Sequence, residues 1–268
     1  MFRDDLGPAW PLDRARYAYL LNSCPSDLAW EFLRRTLAYQ RDYQLARRGV
    51  ERPRRLACGR YLTRLRRRPP QCRSWDLYAL VDPKLPAPLA PLCWTHCTAA
   101  PILDGIAERA PAQVPAQLSI TSCAAVRHFV IGPSGEEYIL FRDAERAATL
   151  RLEGARASIG PVDVTFLIRD LPDPRLLADR FRTLMHLIAS PRLSTRPSRT
   201  RLFLRDALIA LDARQLGMSH REIALLIYGA EAARSDWSHA RGWIRARVRH
   251  LLARGQQLCD GGYRKLLD

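Results

Sequence analysis

Basic side chains recur near the carboxyl end, on one side of a helix predicted over residues 238–254. Arg245, Arg249 and His250 share that side with the small residue Ala246, and apolar side chains occupy the other side. A guanidinium group forks onto phosphate oxygens or onto the edge of guanine, so the chemistry on offer is binding to a nucleic acid. The alternative is a solvated helix face in an arginine-rich chain.

This helix and the one before it supply the candidate DNA contacts. The earlier helix contributes its amino-terminal polar residues, and the later one contributes its basic residues. The candidates are Arg241, Arg245, Arg247, Arg249, His250, Arg254, Ser219, His220 and Arg221.

A zinc site is a second possibility for chemistry, because Cys93, His96 and Cys97 lie within five residues. Cys58 or Cys72 could supply a fourth ligand. Structural zinc sites usually combine two closely spaced ligand pairs, and neither of these two cysteines has a close partner. We therefore favour ordinary core thiols, and we predict no metal and no cofactor.

Catalytic motifs are sparse in the sequence. There is no Walker loop, no dinucleotide glycine fingerprint and no G-x-S-x-G nucleophile frame. A DNA strand-transfer enzyme with a tyrosine nucleophile could use Tyr263, but such enzymes have a His-x-x-Arg pair, and His250 and Arg254 are four residues apart. The sequence predicts that the protein is not an enzyme.

The elements that position the basic face form a predicted helix-turn-helix. Residues 218–229 read as a short helix that begins with a capping box between Ser219 and Glu222 and ends at Gly229. A helix over residues 201–215 precedes it through a turn at Gly217. The helix over 238–254 comes third and is predicted to be the recognition helix, although the link before it exceeds the turn of the simplest motif.

The predicted fold class is α+β, with three units. Residues 1–115 are a helical module, with one helical run from Ser26 to about Arg48, a basic helix over 52–68 and a proline-rich extended connector over 83–115. Residues 116–189 are a small antiparallel sheet followed by a helix. Residues 190–268 are a linker and the three-helix unit, which we expect to fold as a separate fragment.

The strands of the central unit follow from β-rich or alternating segments around a G-P-S-G-E turn, and an apolar helical pattern follows them. The strands are predicted at 127–131, 137–141, 148–152 and 162–168, and the helix at 174–188.

Charge is distributed unevenly along the chain of 268 residues, which carries a formal net charge of +16. Residues 1–100 have a net charge of +9, residues 101–190 of −1 and residues 191–268 of +8. A basic region that contains a helix-turn-helix is typical of a protein that binds the phosphate backbone. Arginine-rich composition can equally reflect a GC-rich genome.

The amino terminus has no secretion signal, and no apolar run reaches the length of a membrane span. Seven cysteines at irregular spacing favour reduced thiols. These features predict a cytoplasmic protein that does not associate with a membrane.

Several motifs resemble a family of proteobacterial transcriptional regulators. The amino-terminal ones are Y-A-Y-L at 17–20, A-W-E-F-L-R-R at 29–35, Y-Q-R-D-Y at 39–43 and W-D-L-Y-A-L-V-D-P at 75–83. The carboxyl-terminal half, with S-H-R-E-I-A-L-L-I-Y-G, R-V-R-H-L-L-A-R-G and G-G-Y-R-K-L-L, resembles a domain of formerly unknown function that is often fused to this module.

The resemblance implies a regulator carried by integrative and conjugative elements of rhizobia and their relatives. Members with both modules resemble activators of excision and transfer genes, and single-domain relatives resemble antiactivators. We therefore expect an activator that binds double-stranded DNA as a homodimer and contacts RNA polymerase or another regulator, with an antiactivator as a further partner. The alternative is a protein-binding adaptor or antiactivator that sequesters another regulator.

Overall fold

The structure, a computed structural model, describes residues 12–46, 53–95, 97–98, 100–110, 120, 123–168, 173–189, 197–231 and 243–268. These residues form a mixed β-sheet and two groups of helices, one before the sheet in sequence and one after it. The predicted α+β class is confirmed.

The strands form one sheet of seven. They are β1 (Arg54–Arg55), β2 (Tyr61–Arg64), β3 (Ile102–Arg109), β4 (Val126–Ile131), β5 (Glu137–Arg142), β6 (Ala147–Gly154) and β7 (Val162–Leu167). Their order is β1-β2-β4-β5-β6-β3-β7, with β2/β4 and β3/β6 parallel and the other pairs antiparallel. The four predicted strands of the central unit are confirmed, but the sheet is larger than predicted and mixed.

The segment 52–68 was predicted to be helical, and that prediction is wrong. Its described residues form the β1–β2 hairpin, in which Gly59 adopts φ +80° and donates its N–H to the Leu56 carbonyl at 2.9 Å. A left-handed backbone at this position breaks a helix. Pairing of β2 with β4, more than 60 residues away, then fixes the strand.

The proline-rich segment 83–115 also contains a regular element that the sequence reading missed. Strand β3 lies between Pro101 and the residues after Arg109, in the interior of the sheet between β6 and β7. The prolines flank this strand and do not interrupt it, so its backbone N–H groups remain free to pair.

The helices are α1 (Pro25–Leu33), α2 (Leu37–Ala46), α3 (Pro174–Ala189), α4 (Arg199–Gln215), α5 (His220–Tyr228) and α6 (Trp243–Cys259). Short 3₁₀ helices cover Arg14–Asn22, Pro70–Trp75, Ala87–Leu89 and Gly262–Leu266. Helices α3, α4 and α5 confirm the predicted positions. Helix α6 extends five residues beyond the predicted end.

The single run predicted from Ser26 to about Arg48 is instead two helices. Helix α1 has Pro25 as its first residue and Cys24 as an N-cap without a side-chain hydrogen bond, so Ser26 is not the cap. At its other end, Thr36 donates its N–H to the Leu33 carbonyl, three residues back, at 2.9 Å, which closes the helix before α2 begins.

The hydrophobic core has separate parts. Helix α3 covers one face of the sheet, where Leu184 and Leu187 are fully buried. A second part lies away from the sheet and combines side chains of α1 and the first 3₁₀ helix with side chains of α4, α5 and α6. The amino-terminal helices and the carboxyl-terminal helices therefore share one core.

Candidate nucleic-acid interface

Helices α4 and α5 meet at a tight turn built on Gly217. Gly217 has φ +81°, its N–H donates to the Arg214 carbonyl at 3.0 Å, and the Met218 N–H donates to the Ala213 carbonyl at 3.0 Å. This pair of hydrogen bonds is a Schellman motif, which requires a left-handed residue at the position of Gly217. The predicted glycine turn is confirmed.

The capping box of α5 is present. The Glu222 N–H donates to Ser219 Oγ at 3.3 Å, and the Ser219 N–H donates to Glu222 Oε2 at 2.7 Å. The Ser219 hydroxyl, which donates to Glu222 Oε2 at 2.7 Å, and the Ser219 N–H together lower the pKa of Glu222. Gly229, at φ +87°, ends the helix as predicted. An ionised carboxylate therefore stands at the amino end of α5, beside the exposed Arg221 and the half-buried His220.

Helix α6 has one buried face and one basic face. Its buried side chains include Ile244, Val248 and Leu251, as predicted. No acidic residue lies between Trp243 and Cys259, whereas four arginines do. The exposed face therefore carries an uncompensated positive charge.

The arginines of α6 flank a strip of small residues. By helical phase, the exposed Ala246 and Ala253 lie at the middle of the solvent face. Arg245 and Arg249 lie to one side of this strip, both exposed and without a hydrogen bond or ion pair to any residue in the described ranges. Arg247 and Arg254 lie to the other side.

Arg247 has contacts that the sequence did not indicate. Its guanidinium carbon lies 4.7 Å from the centroid of the Phe203 ring of α4, which is also 5.3 Å from the His250 ring. Its guanidinium also lies near enough to the Tyr228 hydroxyl of α5 to lower the pKa of that phenol. Burial raises the pKa of the Tyr228 phenol, the nearby Asp206 carboxylate raises it further, and Arg247 opposes both. Arg247 of α6 therefore contacts both α4 and α5.

Arg254 and Arg241 are the remaining arginines among the candidate DNA contacts. Arg254 donates from Nη1 to Gln257 Oε1 at 2.7 Å on the surface of α6. Arg241 lies outside the described residues. Trp243, which the sequence did not indicate as a candidate, is 58 % exposed at the start of α6 and makes an edge contact with the Tyr228 ring at 5.5 Å. Only the packing of α5 against α6 brings these two rings together.

Helix α6 approaches α4 closely at Gly255. A Cβ atom built on Gly255 would lie 2.8 Å from two carbons of Leu211 and 3.3 Å from the Ala207 carbonyl oxygen. Glycine at this position permits the close crossing of the two helices. The orientation of the basic face is therefore fixed by packing on α4.

Helix α4 is in turn held by a buried ionic network. Asp212 accepts two hydrogen bonds from Arg35, both at 2.7 Å, and one from the Tyr17 hydroxyl at 2.6 Å. Arg35 also donates to Glu31 Oε2 at 2.8 Å. Burial alone would raise the pKa of Asp212, but the Arg35 guanidinium and its hydrogen bonds outweigh burial and lower it. The network joins α1 and the first 3₁₀ helix to α4.

This shared packing argues against the expectation that residues 190–268 fold alone. Side chains from Leu204 to Ala213 are buried on nearly every side of α4, partly by residues of the amino-terminal helices. A helix buried all round needs partners on all its faces. The carboxyl-terminal fragment lacks those partners for α4.

Cys93, His96 and Cys97 are the residues predicted as possible zinc ligands. His96 lies outside the described residues, and within the described ranges no three metal-ligating side chains are grouped. Cys93 is buried, and Cys97 Sγ lies 3.4 Å from the Leu267 carbonyl oxygen, to which it donates.

Tyr263, the residue considered as a strand-transfer nucleophile, is fully buried, with its ring 6.2 Å from the Trp94 ring. Burial raises the pKa of its phenol to about 12. A buried phenol with such a pKa is a poor nucleophile.

Within the described ranges, no helix is long and apolar enough to cross a membrane.

Comparison with protein families finds two matches at the two ends of the chain. Residues 171–268 match a family described as "T6SS, Transcription factor, DNA binding domain", and this range contains α3 to α6. Residues 12–68 match a family described as "Proteobacterial transcriptional regulator-like domain", which contains α1, α2 and the β1–β2 hairpin. No curated protein matches the chain. The two matches support a DNA-binding transcriptional regulator.

Proposed function

We propose that this chain is a transcriptional activator that contacts double-stranded DNA through the exposed face of α6. The observation that carries the proposal is the pair Arg245 and Arg249, exposed and unpaired within the described residues, on a helix without acidic residues. Uncompensated positive charge on a rigid helix suits the phosphate backbone and base edges of a duplex.

The shape of α6 supports its role as the recognition helix of a helix-turn-helix. Ala246 and Ala253 allow the helix backbone to approach the floor of a groove, and the arginines on either side can reach the groove walls. The major groove of B-DNA, roughly 12 Å wide, admits an α-helix. Arg245 and Arg249 then neutralise phosphates on one wall of the groove, and sequence preference arises where the helix reaches base edges.

Helix α5 serves as support for α6 in this proposal. The Glu222 carboxylate at its amino end repels phosphate, so this helix end does not bind the backbone directly. Arg221 and His220 can still contact the backbone beside the groove. Ser219 contributes through the cap.

The target genes are proposed from the two kinds of similarity. The amino-terminal motifs resemble activators of excision and transfer genes of integrative and conjugative elements, and we propose such genes as targets. The family description at 171–268 names T6SS, which makes secretion genes the second candidate.

Binding as a homodimer would supply two half-sites, and the amino-terminal module would contact polymerase or another regulator. Sequencing DNA that co-purifies with the tagged protein from its host separates the two gene sets.

A protein-binding adaptor or antiactivator is the second candidate function, and α2 favours it. Leu37 and Leu45 on this helix are 68 % and 77 % exposed. Exposed apolar side chains of this size suit contact with another protein. The affinity of an adaptor that binds through an apolar surface depends weakly on salt concentration, whereas the affinity of a DNA-binding protein for DNA depends on it steeply.

The test replaces Arg245 and Arg249 with glutamine and measures affinity for the co-purified DNA by fluorescence anisotropy at several salt concentrations. Loss of two phosphate contacts flattens the slope of log K against log [salt] by about 2 units. The control replaces Arg175 and Arg182 of α3, which are exposed and change the net charge equally. Unchanged affinity in a folded α6 variant would place the DNA-binding surface elsewhere.

A further inference from the structure

A second basic surface lies at the edge of the sheet, on the β1–β2 hairpin and the segment that follows it. The side chains of its members are exposed and have no hydrogen bond or ion pair to any residue within the described ranges. We call them the arginine surface: Arg54, Arg55, Arg64, Arg67 and Arg73.

The segment itself contains no carboxylate; Glu51 and Asp76 flank it, and Asp76 accepts a hydrogen bond from Arg264. Between Arg52 and Trp75 there are nine arginines and no acidic residue, whereas the whole chain has 27 acidic residues among 268. Three other arginines of the segment, Arg60, Arg66 and Arg68, make interactions within the described ranges. Arg68 Nε donates to the Tyr78 carbonyl at 3.1 Å, and Arg60 Nη2 donates to the Cys123 carbonyl at 2.9 Å. The members of the arginine surface make no such contacts.

Register places two of these arginines on the same face of the sheet. Arg54 on β1 lies opposite Leu62 on β2, so these two side chains point to the same face of the sheet. Arg64 is two residues after Leu62 on β2 and therefore points to that face as well. Like charges on neighbouring strands of one face destabilise the sheet modestly, and a bound counter-charge relieves this repulsion. An extended polyanion supplies such a counter-charge at several points at once.

Protection of the sheet edge does not account for the whole surface. Charged residues on an edge strand prevent pairing with other chains, and this explains Arg54 and Arg55 on β1. Arg64 lies on β2, which is paired on both sides. Arg67 and Arg73 lie outside the sheet.

The arginine surface is linked to the carboxyl end of α6. The chain passes from α6 into the 3₁₀ helix Gly262–Leu266, where Arg264 donates from Nε to Asp76 Oδ2 at 2.8 Å and from Nη2 to the Ser74 carbonyl at 2.7 Å. Arg73 is adjacent to Ser74 in sequence. Hydrogen bonds therefore hold the segment that contains Arg67 and Arg73 against the 3₁₀ helix that directly follows α6.

We propose that the arginine surface is a second DNA-binding site, which holds the phosphate backbone while α6 occupies a groove. The proposal rests on the proposed function of α6. Its ligand is the sugar-phosphate backbone of double-stranded DNA, without sequence preference. Exposed arginines on a hairpin, a connecting segment and a short 3₁₀ helix neutralise phosphates, and no long helix carries them into a groove to reach base edges.

The test uses a triple variant, Arg54→Gln with Arg64→Gln and Arg67→Gln, and a 40-base-pair duplex of arbitrary sequence. Loss of three phosphate contacts flattens the salt slope by about 3 units and weakens binding on the order of 100-fold at 0.15 M salt. The same three positions changed to lysine keep the charge, so the salt slope stays near that of the unaltered protein. The control, Arg109→Gln with Arg175→Gln and Arg182→Gln, removes equal charge elsewhere and leaves the slope near its original value.

A second variant avoids the strands altogether. Arg67→Gln with Arg73→Gln changes only residues outside the sheet, and the loss of two contacts weakens binding about 30-fold at 0.15 M salt. This variant decides the question if the triple variant does not fold, as judged by circular dichroism.

The outcomes separate this inference from the proposed function. Unchanged affinity in a folded arginine-surface variant, with affinity lost in the α6 variant, overturns the second site and leaves the first intact. A loss as large with lysine as with glutamine also overturns it, because packing rather than charge is then responsible. Failure of the unaltered protein to bind any duplex in a salt-dependent way overturns the proposed function, and the second site with it.

Discussion

Replacing Asp212 with alanine tests whether the amino-terminal helices hold the carboxyl-terminal helices in place. Asp212 lies on α4, and its partner Tyr17 lies on the first 3₁₀ helix. Its other partner, Arg35, lies in the turn directly after α1. The side chains of Asp212 and Arg35 are 5 % and 8 % exposed, so solvent screens this ion pair little. The substitution removes the acceptor of all three hydrogen bonds at once.

The expected loss follows from what each partner retains. Removal of one partner of a buried ion pair costs about 3–5 kcal/mol, because the other charge remains buried. Arg35 keeps its contacts with the carboxylate and the carbonyl of Glu31, at 2.8 and 2.6 Å, and is not left without a counter-charge. We therefore expect the lower end, about 3 kcal/mol of unfolding free energy. This is a large share of the roughly 5–15 kcal/mol typical of a folded domain.

The pH dependence has a defined sign. The pKa of Asp212 is lower in the folded protein than its ordinary value, because Arg35 and the hydrogen bonds outweigh burial. A carboxyl with a lowered pKa stabilises the fold fully above its unfolded pKa, about 4, and loses that contribution as pH falls toward the folded value. The difference in stability between the unaltered protein and Asp212→Ala should be constant from pH 8 to pH 5 and shrink below pH 4.

Urea unfolding followed by tryptophan fluorescence measures the difference, with Asp179→Ala as the control. Asp179 pairs with Arg182 on the surface of α3, where both side chains are more than 60 % exposed, so its removal should cost less than about 1 kcal/mol. Equal midpoints for Asp212→Ala and Asp179→Ala would refute the reasoning. The network would then contribute no more than a surface pair.

Two further predictions concern the carboxyl-terminal helices. Ser219→Ala should lower the unfolding free energy by ~1 kcal/mol through loss of the cap, with sequence preference unchanged in binding assays, and Ser219→Asp, which keeps an acceptor, should restore stability. A changed sequence preference at unchanged stability would contradict the supporting role of α5. A fragment of residues 190–268 should show no cooperative thermal transition by circular dichroism, because α4 loses the partners that bury it; a sharp transition would mean that the three helices form a core of their own.

Short-range signals made much of the candidate site predictable. The capping box of Ser219 and Glu222, the turn at Gly217 and the end at Gly229 all depend on residues no more than five positions apart. The apolar period of α6 likewise assigns its buried and basic faces from sequence alone. Which of its arginines remain unpaired was not predictable, because Phe203 and Tyr228 reach Arg247 only through the packing of α4 and α5.

Long-range pairing decided what the sequence reading got wrong. The segment 52–68 has a composition compatible with a helix, and its conformation is set by pairing of β2 with β4 across more than 60 residues. Strand β3 is likewise held between β6 and β7. Strand propensity depends on neighbours that a sequence does not identify.

The sequence by itself determined the local elements of the carboxyl-terminal helices, the basic face of α6 and the α+β class, because these follow from caps, turns and periodicity within single segments. Only the tertiary structure showed that α4 shares its core with the amino-terminal helices and that Asp212 meets Arg35, 177 residues away in the chain. A buried charged side chain needs a partner of opposite charge. The sequence does not identify that partner, because the pairing depends on how whole helices and strands pack.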